Sequence, residues 1–168
     1  PASIRVQIQV GLKILLPLRC NPSYNGTDLG FSLGCVMPTV TVSLTYDGSL
    51  LCHLETAFPQ LEQVGLKGTF YCEPALLLES LPEWAHVLAC GHEIGSGTLH
   101  GAVLEDGSLP GWSLQMVEDD VAEGKALIAD LFPEQDRHSF AFPWGAALSD
   151  DLDVSPATRS VYPVVRLG

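Results

Sequence analysis

The stretch V-T-V-S-L-T-Y-D-G-S, residues 40–49, decides how this chain folds. It begins with β-branched and apolar residues typical of a strand, and Asp47-Gly48 follows where such a strand would end. The next segment, 50–64, has apolar residues at intervals of three and four, which predicts an amphipathic helix that Gly65 terminates. We expect Pro59 to kink this helix.

Strand and helix patterns then alternate along the chain at roughly 25-residue spacing, which predicts a parallel sheet with helices outside it. We predict one or two strands within 1–20. Later strands are expected at 67–72, 92–95, 138–143 and 161–165. Helical segments are expected at 74–90, with a break near Pro82, and at 114–131, with Ser113 as the N-cap.

Composition excludes several classes of partner. The formal charge of −12 from 8 Lys+Arg and 20 Asp+Glu opposes contact with a phosphate backbone, so we expect no nucleic-acid partner. It also disfavours anionic lipid and polyuronate, so a neutral or amino-sugar ligand is electrostatically easier. The five cysteines include no Cys-x-x-Cys pair, so neither a disulfide framework nor a zinc knuckle is indicated.

The N-terminus alternates apolar and polar residues from Ile4 to Val10, which is typical of a strand and not of a signal peptide. No run of about 20 apolar residues predicts a membrane span, so no membrane partner is expected. We favour the cytoplasm as the compartment. The compartment stays open, because a signal peptide removed before Pro1 would leave the same sequence.

Several of these segments resemble the polysaccharide deacetylase family, the carbohydrate esterases that are similar to nodulation-factor deacetylase. The resemblance covers about residues 40–168. It implies an α/β fold, a distorted and incomplete (β/α) barrel, and we divide the chain into N-terminal strands and loop, 1–38, and this barrel domain, 39–168, within one globular unit. Four strand–helix units are too few for the usual eight-stranded barrel of roughly 250 residues. We therefore expect the native domain to continue beyond Gly168.

The first family motif, Thr-Phe-Asp-Asp-Gly, corresponds to residues 45–49. The resemblance implies that Asp47 is the catalytic base and that Gly48 stands where a metal-binding Asp would be. Asp-Gly is also a common turn pair, which gives a purely structural alternative. Residues 67–71, K-G-T-F-Y, favour the family interpretation, because they resemble the Lys-Ala-Thr-Phe-Phe strand expected after the helix.

The second family motif supplies two metal-binding histidines, and residues 91–101 read G-H-E-I-G-S-G-T-L-H-G. Gly97 and Gly101 stand at the two histidine positions, and His100 is one residue out of register. His92 lies roughly 16 Å of strand away from position 97, whereas a zinc–imidazole bond is about 2.1 Å. The family usually binds zinc or another divalent metal, but we expect no metal cofactor here, with weak binding left open.

The third family motif, Arg-x-Pro-Tyr/Trp-Gly, corresponds to 141–145, with Ala141 at the position of the arginine. The resemblance implies a substrate-binding set made of Tyr46, Pro143, Trp144 and Gly145. Trp144 could stack on a sugar ring, or it could pack on the core in an ordinary loop. The last family motif, Leu-x-His, would fall after Gly168.

The resemblance implies a hydrolase that acts on carbon–nitrogen amide bonds other than peptide bonds, most simply by N-deacetylation of an acetylated sugar or polysaccharide. Without a metal, the oxyanion would need donors such as backbone N–H groups around Gly48. Two alternatives remain open at this stage. One is an inactive carbohydrate-binding or scaffold homologue, and the other is a metal-free, allantoinase-like hydrolase of a small amide.

Overall fold

A six-stranded sheet organises the chain in the computed structural model, which describes residues 4–10, 40–99, 111–142, 148–149, 152–153 and 155–166. Its strands, in spatial order, are β1, β2, β3, β4, β5 and β8. Their bounds are Ile4–Val10, Val40–Asp47, Thr69–Cys72, Glu93–Ser96, Ser139–Ala141 and Val164–Arg166. Two short strands, β6 (Leu148–Ser149) and β7 (Leu152–Asp153), pair separately.

The sheet combines one antiparallel edge with a parallel body. β1 pairs antiparallel with β2 along its whole length, from Ile4 opposite Tyr46 to Val10 opposite Val40. The other five strands are parallel and form a curled half-barrel with helices around it. The predicted incomplete α/β barrel is therefore confirmed. The division at residue 38 stays a prediction, because 11–39 lie outside the described residues.

The connecting helices follow the sequence signals closely. A π-helical segment, His53–Ala57, runs into α1, Phe58–Val64. Pro59 explains the wide turn, because proline has no N–H to donate and its ring clashes with the carbonyl four residues earlier. Gly65 ends α1 with a φ of 67°, a left-handed conformation that glycine adopts readily.

The second helical stretch is broken where Pro82 predicts a break. It comprises α2 (Pro74–Leu77), a 3₁₀ turn (Leu78–Ser80) and α3 (Leu81–Ala89). The long helix α4, Leu114–Leu131, begins as expected at Ser113, whose Oγ accepts the Met116 N–H at 3.2 Å. No helix in the described part of the chain is long and apolar enough to cross a membrane.

The end of the described chain corrects one prediction. We expected a strand at 161–165. In the structure, Val161 is the last residue of helix α5, Ser155–Val161, and strand β8 begins only at Val164. The helix starts at Ser155, whose N–H donates to Asp153 Oδ1 at 2.9 Å, and Pro156 suits a first helical turn. Apolar periodicity alone did not separate this short helix from a strand.

The two faces of the sheet differ in chemistry. Alternate residues such as Tyr46, Phe70 and Ile94 pack against the helices in a core that includes Trp84 and Phe132. The residues between them point to the inner face of the half-barrel and are mainly polar. Because closed barrels of this type normally fill their interior with branched apolar residues, the polar inner face is a candidate functional surface.

Candidate functional site

Asp47 lies at the carboxyl end of β2, the end at which parallel α/β sheets bind ligands. Its side chain is 20% exposed, and its Oδ1 is 2.5 Å from Arg166 Nη2. Gly48 follows with a φ of 88°, and its N–H donates to the Tyr71 carbonyl at 2.8 Å. The Gly48 amide is therefore already paired, so the expectation of oxyanion donors around Gly48 stays a prediction that concerns its neighbouring N–H groups.

Arg166 reaches Asp47 from the far side of the half-barrel. Three strands separate β2 from β8 in the sheet, so a flat sheet would place them about 19 Å apart at about 4.8 Å per strand. An arginine side chain cannot span that distance, so the ion pair depends on the curl of the sheet. Arg166 is 7% exposed, donates from Nη1 to Thr45 Oγ1 at 2.8 Å, and lies 4.8 Å from the Tyr71 ring centroid.

A hydrogen-bond network continues from Tyr71 across the inner face. Tyr71 Oη and Ser139 Oγ are 3.3 Å apart, and Ser139 Oγ donates to Glu93 Oε1 at 2.5 Å. Thr69 Oγ1 donates to the other oxygen of Glu93 at 2.8 Å. Burial raises the pKa of Tyr71, so its hydroxyl stays protonated near neutral pH. Both oxygens of Glu93 are thus held by neighbouring strands.

Close packing around Tyr71 depends on Gly95. A Cβ added at Gly95 would lie 2.5 Å from Tyr71 Cδ1, so only glycine admits the ring at this position. Tyr71 is 7% exposed, with Arg166 on its face and Ser139 at its hydroxyl. The Gly91–Gly101 segment therefore has a structural glycine requirement here that is separate from any ligand chemistry.

An open cleft of about 660 Å³ lies on the other part of the inner face, towards the amino ends of the strands. Thr69, Glu93 and Ser139 line it, together with Gln135 and His138 from the segment before β5. Neither Asp47 nor Arg166 is among its lining residues. The cleft and the Asp47 carboxylate are therefore neighbouring but distinct features, joined through Tyr71.

The positions of the family metal ligands are a poor fit for a divalent cation. Gly97 has no side chain, and its N–H donates to the Cys72 carbonyl at 2.6 Å. Gly48 is in a left-handed conformation that an ordinary L-residue disfavours. Among the residues described, no group of three His, Cys, Asp or Glu side chains could hold a metal ion. His100 and Gly101 lie outside the described residues.

Other predicted site residues are placed as follows. Tyr46 is 8% exposed and stacks on Phe70 at 4.9 Å between ring centroids, on the helix side of the sheet. We therefore leave Tyr46 out of the substrate-binding set that we carry forward. Pro143, Trp144 and Gly145 lie outside the described residues, so their assignment stays a prediction.

His92 makes structural contacts rather than belonging to the candidate site, in agreement with its expected distance from position 97. Its Nδ1 accepts the Gly68 N–H at 3.2 Å, and its Nε2 is 3.0 Å from Glu62 Oε1. Its ring also packs on Phe58 and Phe70. These contacts join β4 to helix α1 on the outer side of the sheet.

Sequence reasoning missed Arg166 and the network of Thr69, Tyr71, Glu93 and Ser139. One signal could have found Arg166. It directly follows the apolar run from Val161 to Val165, and a charge at the end of such a buried strand requires an opposite charge nearby. Asp47, which the sequence already placed at a strand end, is a carboxylate that can supply this opposite charge.

No protein-family model matches the chain, and no curated protein matches its sequence. Solved structures do match in fold. IcaB from Ammonifex degensii gives a TM-score of 0.60 at 20% identity, over 70% of this chain and 55% of that chain. The deacetylase PplD from Streptococcus pyogenes gives 0.58 at 20% identity, over 71% and 52%. BA3943 from Bacillus anthracis, described as a CE4 family pseudoenzyme, gives 0.58 at 17% identity, over 72% and 40%.

The chain thus spans between 40% and 55% of the length of these three structures. A structure named as a deacetylase and one named as a pseudoenzyme both match this chain, so the match establishes the fold alone. The similarity predicted from the three sequence motifs is confirmed at this level. This chain has the fold of the CE4 polysaccharide deacetylases.

Proposed function

We propose that this protein is a deacetylase-type hydrolase of carbon–nitrogen amide bonds, most simply of the acetamide of an N-acetylated sugar, and that Asp47 is its general base. One observation carries the proposal. Asp47 lies at the carboxyl end of β2, partly exposed, with one carboxylate oxygen fixed by Arg166. The ion pair uses Oδ1, which leaves Oδ2 as the proton acceptor.

In the proposed step, Oδ2 of Asp47 takes a proton from a water molecule while the water oxygen bonds to the amide carbonyl carbon. The carbon–nitrogen bond then breaks as the nitrogen takes that proton from Asp47, which regenerates the carboxylate. The products are an amino sugar and acetic acid, which ionises to acetate. General-base assistance of this kind contributes roughly 10² to 10⁴ in rate. We propose no metal cofactor, because Gly48 and Gly97 offer no donor side chains.

Similar structures support the chemical class of substrate. PplD is a deacetylase whose structure contains acetate, the product that the proposed reaction releases. The charge of −12 favours a neutral or cationic glycan over a polyuronate. We therefore propose a carbohydrate or a small amide as the partner, with Pro143, Trp144 and Gly145 as its binding residues.

The test is acetate release from N-acetylglucosamine oligomers by the wild-type protein, by Asp47→Asn and by Glu55→Gln as an exposed carboxylate control. We expect Asp47→Asn to lose at least about 100-fold in rate and the control to keep full activity. Chelator should not reduce the wild-type rate. Equal rates for wild type and Asp47→Asn would contradict the proposal. Loss of activity in chelator, restored by zinc, would contradict its metal-free form.

A second candidate function is a non-catalytic carbohydrate-binding homologue, and the backbone at the ligand positions favours it. Gly48 has a φ of 88°, and a Cβ at Gly97 would lie 3.3 Å from the Cys72 carbonyl oxygen. Both local conformations therefore suit glycine better than the ligands of the family. Glycan binding without acetate release, in the wild type and in Asp47→Asn alike, would identify this function.

A third arrangement, hydrolysis of a ring amide without metal, shares Asp47 as base. It differs in substrate, so the same proteins assayed with a cyclic ureide such as allantoin separate it from sugar deacetylation.

A design experiment also has a precedent, because a variant of BA3943 is described as having restored enzymatic activity. For this chain, the Gly48 and Gly97 conformations predict that adding ligands there costs stability.

A further inference from the structure

We propose that Arg166 is the positioning residue of Asp47, and that it supplies from β8 the guanidinium that position 141 lacks. The inference deepens the proposed function, because it assigns the group that holds the base of the proposed hydrolysis. It rests on the placement of three side chains and on the register of two adjacent strands.

The register places Arg166 beside the position of the missing arginine. Ala141 on β5 pairs in parallel with Arg166 on β8, so the two residues are direct neighbours across adjacent strands. Neighbouring strands are about 4.8 Å apart, and paired residues point to the same face of the sheet. A guanidinium that starts from position 166 can therefore occupy the space that an arginine at 141 would use. The small side chain of Ala141, which is 2% exposed, leaves that space free for it.

Three side chains hold the guanidinium group of Arg166: two accept its hydrogen bonds, and the ring of the third lies against its planar face. Nη1 donates to Thr45 Oγ1 at 2.8 Å and Nη2 to Asp47 Oδ1 at 2.5 Å, while the Tyr71 ring lies beneath at 4.8 Å. A planar fork that is fixed in this way also fixes the carboxylate it binds. Thr45 and Asp47 are two apart on β2, so both of these acceptors belong to one strand face.

The ion pair is also a poor candidate for a purely stabilising contact. Taking a charged pair out of water costs free energy that its attraction barely offsets, so replacing such pairs with apolar residues is often neutral. A buried arginine on the inner face of a barrel therefore favours a role in orienting Asp47. A role in orienting Asp47 explains this buried arginine better than a contribution to stability does.

The first measurement is steady-state acetate release by Arg166→Ala, with Arg159→Ala as the control on the exposed face of helix α5. We expect Arg166→Ala to lower kcat about 100-fold while KM changes less than about threefold, because substrate contacts remain and only the orientation of the base is lost. Added guanidinium ion should restore part of kcat. Arg159→Ala should match the wild type. A kcat for Arg166→Ala within about threefold of the wild type would overturn the proposal.

The second measurement moves the arginine back. The double variant Ala141→Arg with Arg166→Ala should recover at least about tenfold of the lost kcat, since the guanidinium returns from the adjacent strand. No recovery in the double variant would contradict the inference that guanidinium groups from positions 141 and 166 share one place. Arg166→Lys, which keeps the charge but loses the fork, should fall between the wild type and Arg166→Ala.

A third measurement does not depend on hydrolysis. In a thermal double-mutant cycle, Asp47→Asn and Arg166→Lys should be coupled, so that the melting temperature of the double variant is higher than the two single shifts predict by addition. If the wild type releases no acetate, the proposed function fails. In that case coupled shifts still show that Arg166 holds Asp47, and additive shifts overturn this inference. Arg166→Lys keeps the cycle usable if Arg166→Ala does not fold.

Discussion

The backbone of Gly48 limits which side chains this position can carry. Its φ of 88° lies in the left-handed region, where a Cβ crowds the neighbouring carbonyl. We expect Gly48→Ala to lower the free energy of unfolding by about 1–2 kcal/mol, measured by urea denaturation. Gly124→Ala is the control, because Gly124 lies inside helix α4 with its nearest atoms 3.6 Å from a built Cβ.

Alanine is a better helix former than glycine by about 1 kcal/mol, so Gly124→Ala should leave stability unchanged or raise it. The two substitutions thus make the same chemical change. We expect Gly48→Ala to lower the free energy of unfolding and Gly124→Ala to leave it unchanged or raise it. Equal destabilisation by both substitutions would show that the conformation of Gly48 is not what constrains it.

His53 is a buried histidine with a predictable effect on stability. It is 2% exposed and packs against Tyr46 and Phe70. Burial lowers the pKa of His53, against smaller opposing effects of the Gly48 backbone and the Asp47 carboxylate. The unfolded chain therefore binds a proton at about pH 6.5, where the folded protein does not yet do so.

It follows that the free energy of unfolding should decrease as the pH falls below about 6.5 and should reach its full value above it. We expect His53→Phe to reduce this dependence, because a phenyl ring does not titrate. Urea denaturation at pH 7.5 and pH 5 tests the prediction, with His86→Phe as the control at an exposed histidine. An unchanged pH dependence in His53→Phe would contradict it.

At the same residue scale, the sequence predicts Asp47 but not its partner. A strand that ends in Asp-Gly can be found from local propensity, because β-branched residues and turn residues act over short distances. The contact from Asp47 to Arg166 joins residues 119 apart in the chain. It depends on the curl of five strands, which no local pattern specifies.

The N-cap of helix α4 gives a prediction at the scale of an element. Ser113 Oγ accepts the Met116 N–H at 3.2 Å and so pairs one of the free amides of the first turn. We expect Ser113→Ala to lower the free energy of unfolding by about 1 kcal/mol, whereas Ser113→Asp should keep the wild-type value. Thermal or urea unfolding measures both. A Ser113→Asp variant as unstable as Ser113→Ala would argue against capping.

The same scale shows where sequence patterns are sufficient. Ser113, Gly65 and Pro82 mark helix ends by a chemistry that belongs to one residue each, and all three helix limits are found there. Helix α5 and strand β8 were harder to predict. Their apolar residues Val161, Val164 and Val165 lie so close together that a helix end and a strand start produce one unbroken run.

For the whole molecule, net charge predicts which glycans bind. With a charge of −12, the protein should repel a polyuronate over a distance that salt screens to about 8 Å at physiological ionic strength. We expect binding of neutral N-acetylglucosamine oligomers to be insensitive to salt, and any polyuronate binding to increase as salt is added. Calorimetric titrations at 20 mM and 300 mM salt, about a 15-fold range, would measure this. Polyuronate binding that weakens with salt would contradict it.

The ion pair between the first and last parallel strands also bears on how the chain is made. Asp47 leaves the ribosome 119 residues before Arg166, so during synthesis its carboxylate has no guanidinium to meet. The inner face can acquire this ion pair only after β8 has been synthesised and has docked. Nascent chains released before that point should therefore be the preferred substrates of chaperones and proteases.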